Sequence, residues 1–181
     1  MCAMWASLSS GAHVLNMARI FVGVGSNIDR ERNIQAGLRA LSGAFGNLTV
    51  STIYESEAIG FAGDNFYNLV VGFDSVQSPG QIAAALSAIE YQFGRDRGGG
   101  RFAPRTLDLD LLLYNGLVRQ DKEISVPRED VTKYAFVLRP LAEIAGDLRH
   151  PVSGERFADL WASFDQSSQA LWPAPTEFQP G

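Results

Sequence analysis

Residues 106–114 read TLDLDLLLY, an alternating run of one strand's length. Leu107, Leu109, Leu111 and Leu113 fall on one face and anchor the strand in a core, while Asp108 and Asp110 project together from the other. Asn115-Gly116, directly behind it, is a hairpin signal. Upstream, Pro79 is well placed in the first turn of a helix whose Ile82, Leu86, Ile89 and Phe93 share a face, with Gly94 to close it. Residues 66–74 (FYNLVVGFD) and 48–56 (LTVSTIYES) read as two further strands joined by the loop EAIGFAGDN. An earlier helix carries Ile34, Leu38, Leu41 and Phe45 at helical spacing; Asn27 or Asp29 can cap it and Gly46 can stop it. Residues 19–24 (RIFVGV) open the series as a short buried strand. The order is β-α-β-β-α-β, the split pattern of ferredoxin-like α+β folds. Downstream, 117–126 are expected to add edge strands. Residues 128–145 and 157–164 are expected to form short helices, one of them kinked or ended by Pro140.

The chain has 181 residues, 46% hydrophobic and 19% charged, which suits one soluble domain without internal repeats or linkers. A net charge of −5 argues against a nucleic-acid coat or a polybasic membrane binder. One cysteine, Cys2, excludes a disulfide framework. Two distant histidines, His13 and His150, leave no His/Cys zinc set and speak against Ser-His-Asp or Cys-His catalysis. The GxxxxGKS/T motif of a P-loop does not occur. No window approaches the ~20 apolar residues of a membrane helix. Residues 1–16 lack both the basic start of a secretory signal and the Arg-rich character of a transit peptide. The expected organisation is a disordered leader over 1–16 with Met17 as the functional start, a cytoplasmic domain over 17–164, and an irregular tail over 165–181.

Chemistry concentrates in residues 94–110, GRDRGGGRFAPRTLDLD. Arg95, Arg97, Arg101 and Arg105 cluster in an otherwise acidic protein, and planar guanidinium forks suit a polyphosphate. Gly98-Gly99-Gly100 between them implies a loop that moves or approaches something closely. Asp108 and Asp110 repel each other on a buried strand, and a divalent cation relieves that repulsion. One or two carboxylates plus substrate phosphates describe a magnesium site. Carboxylates neutralised by nearby arginines, with no metal, are the plainer alternative. Phe66 and Asn68 share a strand face, and an aromatic surface beside an amide is what a flat polar heterocycle needs. Ordinary core packing is the alternative for the aromatics. Gly25-Ser26-Asn27 could be no more than a helix cap, since GVGSNI lacks the third glycine of a dinucleotide fingerprint.

Residues 101–112, RFAPRTLDLDLL, resemble the signature of the 6-hydroxymethyl-7,8-dihydropterin pyrophosphokinase family. The likeness spans about residues 18–150 and takes in Gly25-Ser26-Asn27, Phe66-Tyr67-Asn68, Glu90 with the GRDR of 94–97, and FVLRPLAEIA at 136–145. The resemblance implies a ferredoxin-like βαββαβ core elaborated into a three-layer α-β-α single domain. It implies transfer of pyrophosphate from ATP to the pterin hydroxymethyl group in folate biosynthesis, releasing AMP, with two Mg2+ ions brought with ATP. Both metals would sit on Asp108 and Asp110. Arg97 and Arg105 would join those aspartates as catalytic groups holding the triphosphate, with Arg95 and Arg101 closing over it. Glu90 would lie near the nucleotide and Leu111 at the adenine. The pterin would stack between Phe66 and Phe136, its edge read by Ser56, Ile59 and Asn68.

The chain departs from the resemblance in places. Relatives usually carry histidine after the proline at 127, where this chain has Arg128 and then Glu129; Arg128 would replace it as an ATP phosphate partner. Tyr134 stands where relatives tend to carry arginine, and Phe102 where tryptophan is frequent. A paralogue acting on a different pterin is therefore an alternative. So is a non-catalytic ferredoxin-like ligand-binding domain, although such a module would not need the Arg/Asp pairing across 95–110. A DxD-type glycosyltransferase also holds a metal on paired aspartates, but usually needs more chain. An RNA-binding module is disfavoured by acidity and missing aromatics. The expected partners are small-molecule substrates, ATP and a dihydropterin, bound by a monomer with no nucleic acid and no membrane.

Overall fold

In the computed structural model, which describes residues 17–58, 63–94, 106–175 and 177, strand alternation becomes an antiparallel sheet covered on both faces. The long central strands β1 (Ala18–Ser26) and β4 (Phe66–Ser75) pair along their whole length, from Ala18 opposite Ser75 to Ser26 opposite Tyr67. β5 (Asp108–Tyr114) lies on the other side of β1, and β3 (Tyr54–Ser56) on the other side of β4. The order β5-β1-β4-β3 is that of a ferredoxin-like sheet. α1 (Arg30–Phe45) and α2 (Pro79–Gln92) cover one face, where Ile34, Leu41, Ile82 and Leu86 meet Ile20, Val22, Leu69 and Leu109. α3 (Asp130–Lys133), α4 (Ala135–Ala145) and α5 (Phe157–Ser163) form a third layer, packing Val131, Leu138, Leu141 and Phe157 against Phe21, Val70 and Leu112.

The helix signals hold in part. α2 starts at Pro79 behind a reciprocal cap, in which Ser78 Oγ accepts from the Gln81 N–H and Gln81 Oε1 accepts from the Ser78 N–H. Gly46, at φ 83°, ends α1. Neither expected cap of α1 acts as one. Asp29 occupies the cap position with φ 40° and no capping bond, Asn27 donates to the Asp64 carbonyl, and Asn33 Nδ2 holds the Ile28 carbonyl at 2.6 Å. Pro140 does not end α4, which continues to Ala145 with Leu141 buried beside it.

Four strand expectations change. The run 48–56 is split into β2 (Thr49–Val50) and β3, because Ser51 Oγ takes the Val70 N–H at 2.9 Å in place of a ladder carbonyl. Leu113 does not join Leu107, Leu109 and Leu111. Phe21 pairs with Leu113 and Val22 with Leu111, so Leu112 is an extra residue, and this bulge turns Leu113 to the α4 side. Residues 117–126 add no edge to the main sheet: β6 (Arg119–Gln120) and β7 (Ser125–Val126) pair with each other. The free edge of β5 is already engaged, since Glu90 Oε1 accepts the Leu109 N–H and the Arg128 N–H bonds the Leu112 carbonyl. The Asn115-Gly116 turn forms, with Leu117 N–H on the Tyr114 carbonyl at 3.0 Å, but closes no hairpin with β5.

The tail also gains order. β8 (Leu171–Pro173) extends the sheet beside β3, and Gln169 Oε1 accepts the Ala135 N–H at the start of α4. The expected leader over 1–16, Ile59, and the segment 95–105 with its four arginines and three glycines lie outside the described residues. No helix among the described residues is long and apolar enough to cross a membrane.

Candidate active site

On the α4 side of the sheet, β1 presents Gly23 and Gly25, and their neighbours bring the polar groups. Gly23 pairs with Asp110 and Gly25 with Asp108 on one side; Gly25 pairs with Asn68 on the other. A row Asp108–Gly25–Asn68 therefore crosses three adjacent strands. A Cβ at Gly25 would stand 3.3 Å from Asn68 Oδ1 and 4.0 Å from both Asp108 Cβ and Phe66 Cδ1, so glycine keeps this floor open. One strand further, Ser56 pairs with Phe66, and Asn68 Nδ2 donates to Ser56 Oγ at 2.9 Å. Both partners are buried, and the bond fixes the amide so that its oxygen lies over Gly25.

The opposite wall comes from the third layer. Phe136 and Val137 open α4, and Tyr134 stacks on Phe136 with ring centroids 5.1 Å apart and planes 18° from parallel. Sheet and wall enclose a cleft of about 140 Å³, with Phe66 and Asn68 at one end and Asp108 and Asp110 at the other. An aromatic-sided slot with a buried amide on its floor suits a planar heterocycle. A carboxylate pair beside it suits a cation or a cation-bearing ligand.

Arg128 controls the charge of that second end. Its Nη2 lies 3.0 Å from Asp110 Oδ1 and its Nε lies 3.1 Å from Asp130 Oδ2. Burial first, and then repulsion from Asp108, push the Asp110 carboxyl up to about 6 against the pull of Arg128. Asp110 still leaves 31% of its side chain accessible. These groups fit a hard divalent cation. Both are oxygen donors and they share a face, and their mutual repulsion is what a dication removes. No cluster of three or more His, Cys, Asp or Glu able to hold a metal occurs among the described residues, so a cation here would need further oxygens from its ligand.

The cleft thus gathers Ser56, Phe66, Asn68, Asp108, Asp110, Arg128 and Phe136 from the expected set. It does not gather Glu90 or Leu111. Glu90 is buried in α2 and binds the Leu109 N–H at 2.8 Å, behind the two aspartates, while Leu111 packs into the core under α1 and α2. Ile59, Arg95, Arg97, Arg101 and Arg105 fall outside the described residues. Gly23, Leu112 and Asp130 belong to the cleft without having been singled out, and Gly25 and Tyr134, named only in the Gly25-Ser26-Asn27 motif and as a departure from the family pattern, line it too. The glycines had a signal: VGVGS places one at every second strand position, stripping side chains from a single face.

Comparison with known proteins bears on the family and on the fold. The family model described as 7,8-dihydro-6-hydroxymethylpterin-pyrophosphokinase matches residues 21–146. The chain is 38% identical over 149 residues to the 2-amino-4-hydroxy-6-hydroxymethyldihydropteridine pyrophosphokinase of Pseudomonas aeruginosa, covering 80% of this chain and 91% of that one. It is 33% identical over 138 residues to the protein of the same name from Aquifex aeolicus, covering 75% and 86%. Among solved structures, a Plasmodium falciparum HPPK-DHPS triple mutant superposes with TM-score 0.66 at 12% identity, over 81% of this chain and 43% of that one. That likeness concerns the fold.

Proposed function

The chain belongs to the 7,8-dihydro-6-hydroxymethylpterin-pyrophosphokinase family, and from that premise we propose that it transfers pyrophosphate from ATP to 6-hydroxymethyl-7,8-dihydropterin. The products are the pterin diphosphate and AMP, and the reaction serves folate synthesis. The observation that carries this reading is the row Asp108–Gly25–Asn68, which sets a carboxylate pair and a heterocycle slot on one floor. The pterin stacks between Phe66 and Phe136. Asn68, its amide nitrogen engaged by Ser56, offers its carbonyl to ring N–H groups, and Ser56 and Ile59 complete the edge.

Asp108 and Asp110 would hold two Mg2+ ions that arrive with ATP. Bound magnesium supplies Lewis-acid and charge stabilisation at the transferred phosphates. Arg97, Arg105 and Arg128 hold the triphosphate, and Arg95 and Arg101 close over it. Glu90 and Leu111 support the nucleotide side from behind β5, Glu90 by fixing the backbone between the aspartates. The hydroxymethyl oxygen, giving its proton up to solvent, bonds to the β-phosphorus in line while the bond from that phosphorus to the α–β bridging oxygen breaks, and AMP leaves with that oxygen. The protein's share is positioning and charge, the dominant demands of phosphoryl-type transfer. The enzyme works as a cytoplasmic monomer on small molecules, through the domain over 17–164 with β8 of the tail added to its sheet.

The test is AMP formation from ATP and hydroxymethyl-dihydropterin with Mg2+, comparing wild type with Asp110→Asn. The expected loss is at least about 100-fold in a folded variant. A folded wild type that makes no AMP, or a variant that retains full activity, contradicts the proposal.

A further inference from the structure

The Asp110 carboxylate already has a cation of the chain's own. Arg128 is fixed to β5 by its backbone, its N–H bonding the Leu112 carbonyl at 3.0 Å, two residues past Asp110. Its guanidinium then spans two carboxylates, with Nη2 at 3.0 Å from Asp110 Oδ1 and Nε at 3.1 Å from Asp130 Oδ2. The two contacts differ in setting. All three border the cleft, but Asp130 is the more buried partner, at 14% side-chain exposure, whereas Asp110 and Arg128 keep 31% and 34%. The contact to Asp110 is therefore the more accessible of the two.

A divalent cation on Asp110 would sit beside this guanidinium. Two cations that close, in a partly desolvated cleft, repel strongly, and a carboxylate oxygen shared between them binds each more weakly. A polyphosphate changes the balance, because its oxygens accept the guanidinium fork directly.

We propose that Arg128 is a tethered counter-ion that competes with divalent metal for Asp110 until a polyphosphate draws it away. Metal alone then binds poorly, nucleotide and metal bind cooperatively, and Arg128 sets the size of that coupling. The inference rests on the reading of Asp110 as a metal ligand. It adds a role that phosphate binding by Arg128 does not contain, since a simple phosphate ligand has no effect on metal binding in the absence of nucleotide.

The experiment titrates the full chain with Mn2+, followed by electron paramagnetic resonance of the free ion, with and without a non-hydrolysable ATP analogue. Arg128→Gln should bind Mn2+ alone roughly 10-fold more tightly than wild type, and the gain in Mn2+ affinity produced by the analogue should shrink by a similar factor. Arg128→Lys keeps the charge and should stay near wild type, which separates charge from packing. Unchanged or weaker nucleotide-free Mn2+ binding in folded Arg128→Gln overturns the proposal. Adding Asp110→Asn to Arg128→Gln should abolish the gain. If the double variant still binds Mn2+ as tightly, the metal is not on Asp110, and the site reading falls together with the proposal.

Discussion

The two faces of the central sheet are made by the same strands and do different work. Towards α1 and α2, Val22, Val24, Leu69, Val71 and Leu109 form an uninterrupted apolar floor. Towards α4, apolar packing by Phe21, Val70, Leu112 and Leu113 covers one end, and glycines, Asn68 and two aspartates occupy the other. Adjacent residues of β4 show the contrast best. Leu69 is 1% exposed in the core, and Asn68, one residue away, is bound to Ser56 on the cleft floor. Period-two geometry lets one strand pack a core on one side and line a cleft on the other.

That division can be broken residue by residue. The largest effect on stability should come from Leu69→Ala, which opens a cavity in the closed face and costs about 3 kcal/mol in denaturant unfolding, while pterin affinity of the folded fraction is unchanged. Asn68→Ala should do the reverse. Pterin affinity should fall about 10-fold by fluorescence titration, with stability lowered by about 1–2 kcal/mol for the Ser56 hydroxyl left behind. Equal effects of the two variants on pterin affinity would refute the division of labour.

A smaller effect tests the charge on the open face. Asp110 titrates near 6 in the folded chain, above the ordinary aspartate value, so folding takes up a proton between the two. The stability associated with the protonated group is fully present below the unfolded value and is lost as pH rises through about 6. Asp110→Asn is neutral throughout and should stabilise the metal-free protein at pH 8 by about 1–2 kcal/mol, allowing for solvent screening, or roughly 2–6 °C in Tm. At pH 4 the gain should vanish. Thermal melts at both pH values check this, and an equal gain at both would point to packing instead of charge.

Legibility in the sequence followed the same divide. α1, α2 and β5 are readable from their apolar periodicity, and β1 and β4 as strand-length apolar stretches, because the sheet is covered on both faces. The paired aspartates and the Phe66/Asn68 pair were readable because they interrupt that regularity on a common face. Features set by a single hydrogen bond or by distant pairing were not. The break at Ser51 depends on its hydroxyl replacing a carbonyl opposite Val70. The Leu112 bulge is a property of how β5 meets β1, and it alone moves Leu113 to the other face. β8 carries no alternation of its own and ends in proline; its order comes from β3 and from Gln169 at the start of α4. The ion pair between Arg128 and Asp110 joins residues 18 apart across a hairpin and a turn, which composition does not reveal.

The central claim is that one floor, Asp108–Gly25–Asn68, joins a cation site to a pterin slot. The most direct test is a crystal structure of the full chain with Mg2+, a non-hydrolysable ATP analogue and hydroxymethyl-dihydropterin. The account predicts Mg2+ on Asp108 and Asp110, the pterin between Phe66 and Phe136 with Asn68 at its edge, and Arg128 on phosphate instead of Asp110. A pterin bound elsewhere, or Mg2+ that leaves both aspartates uncoordinated, would contradict it.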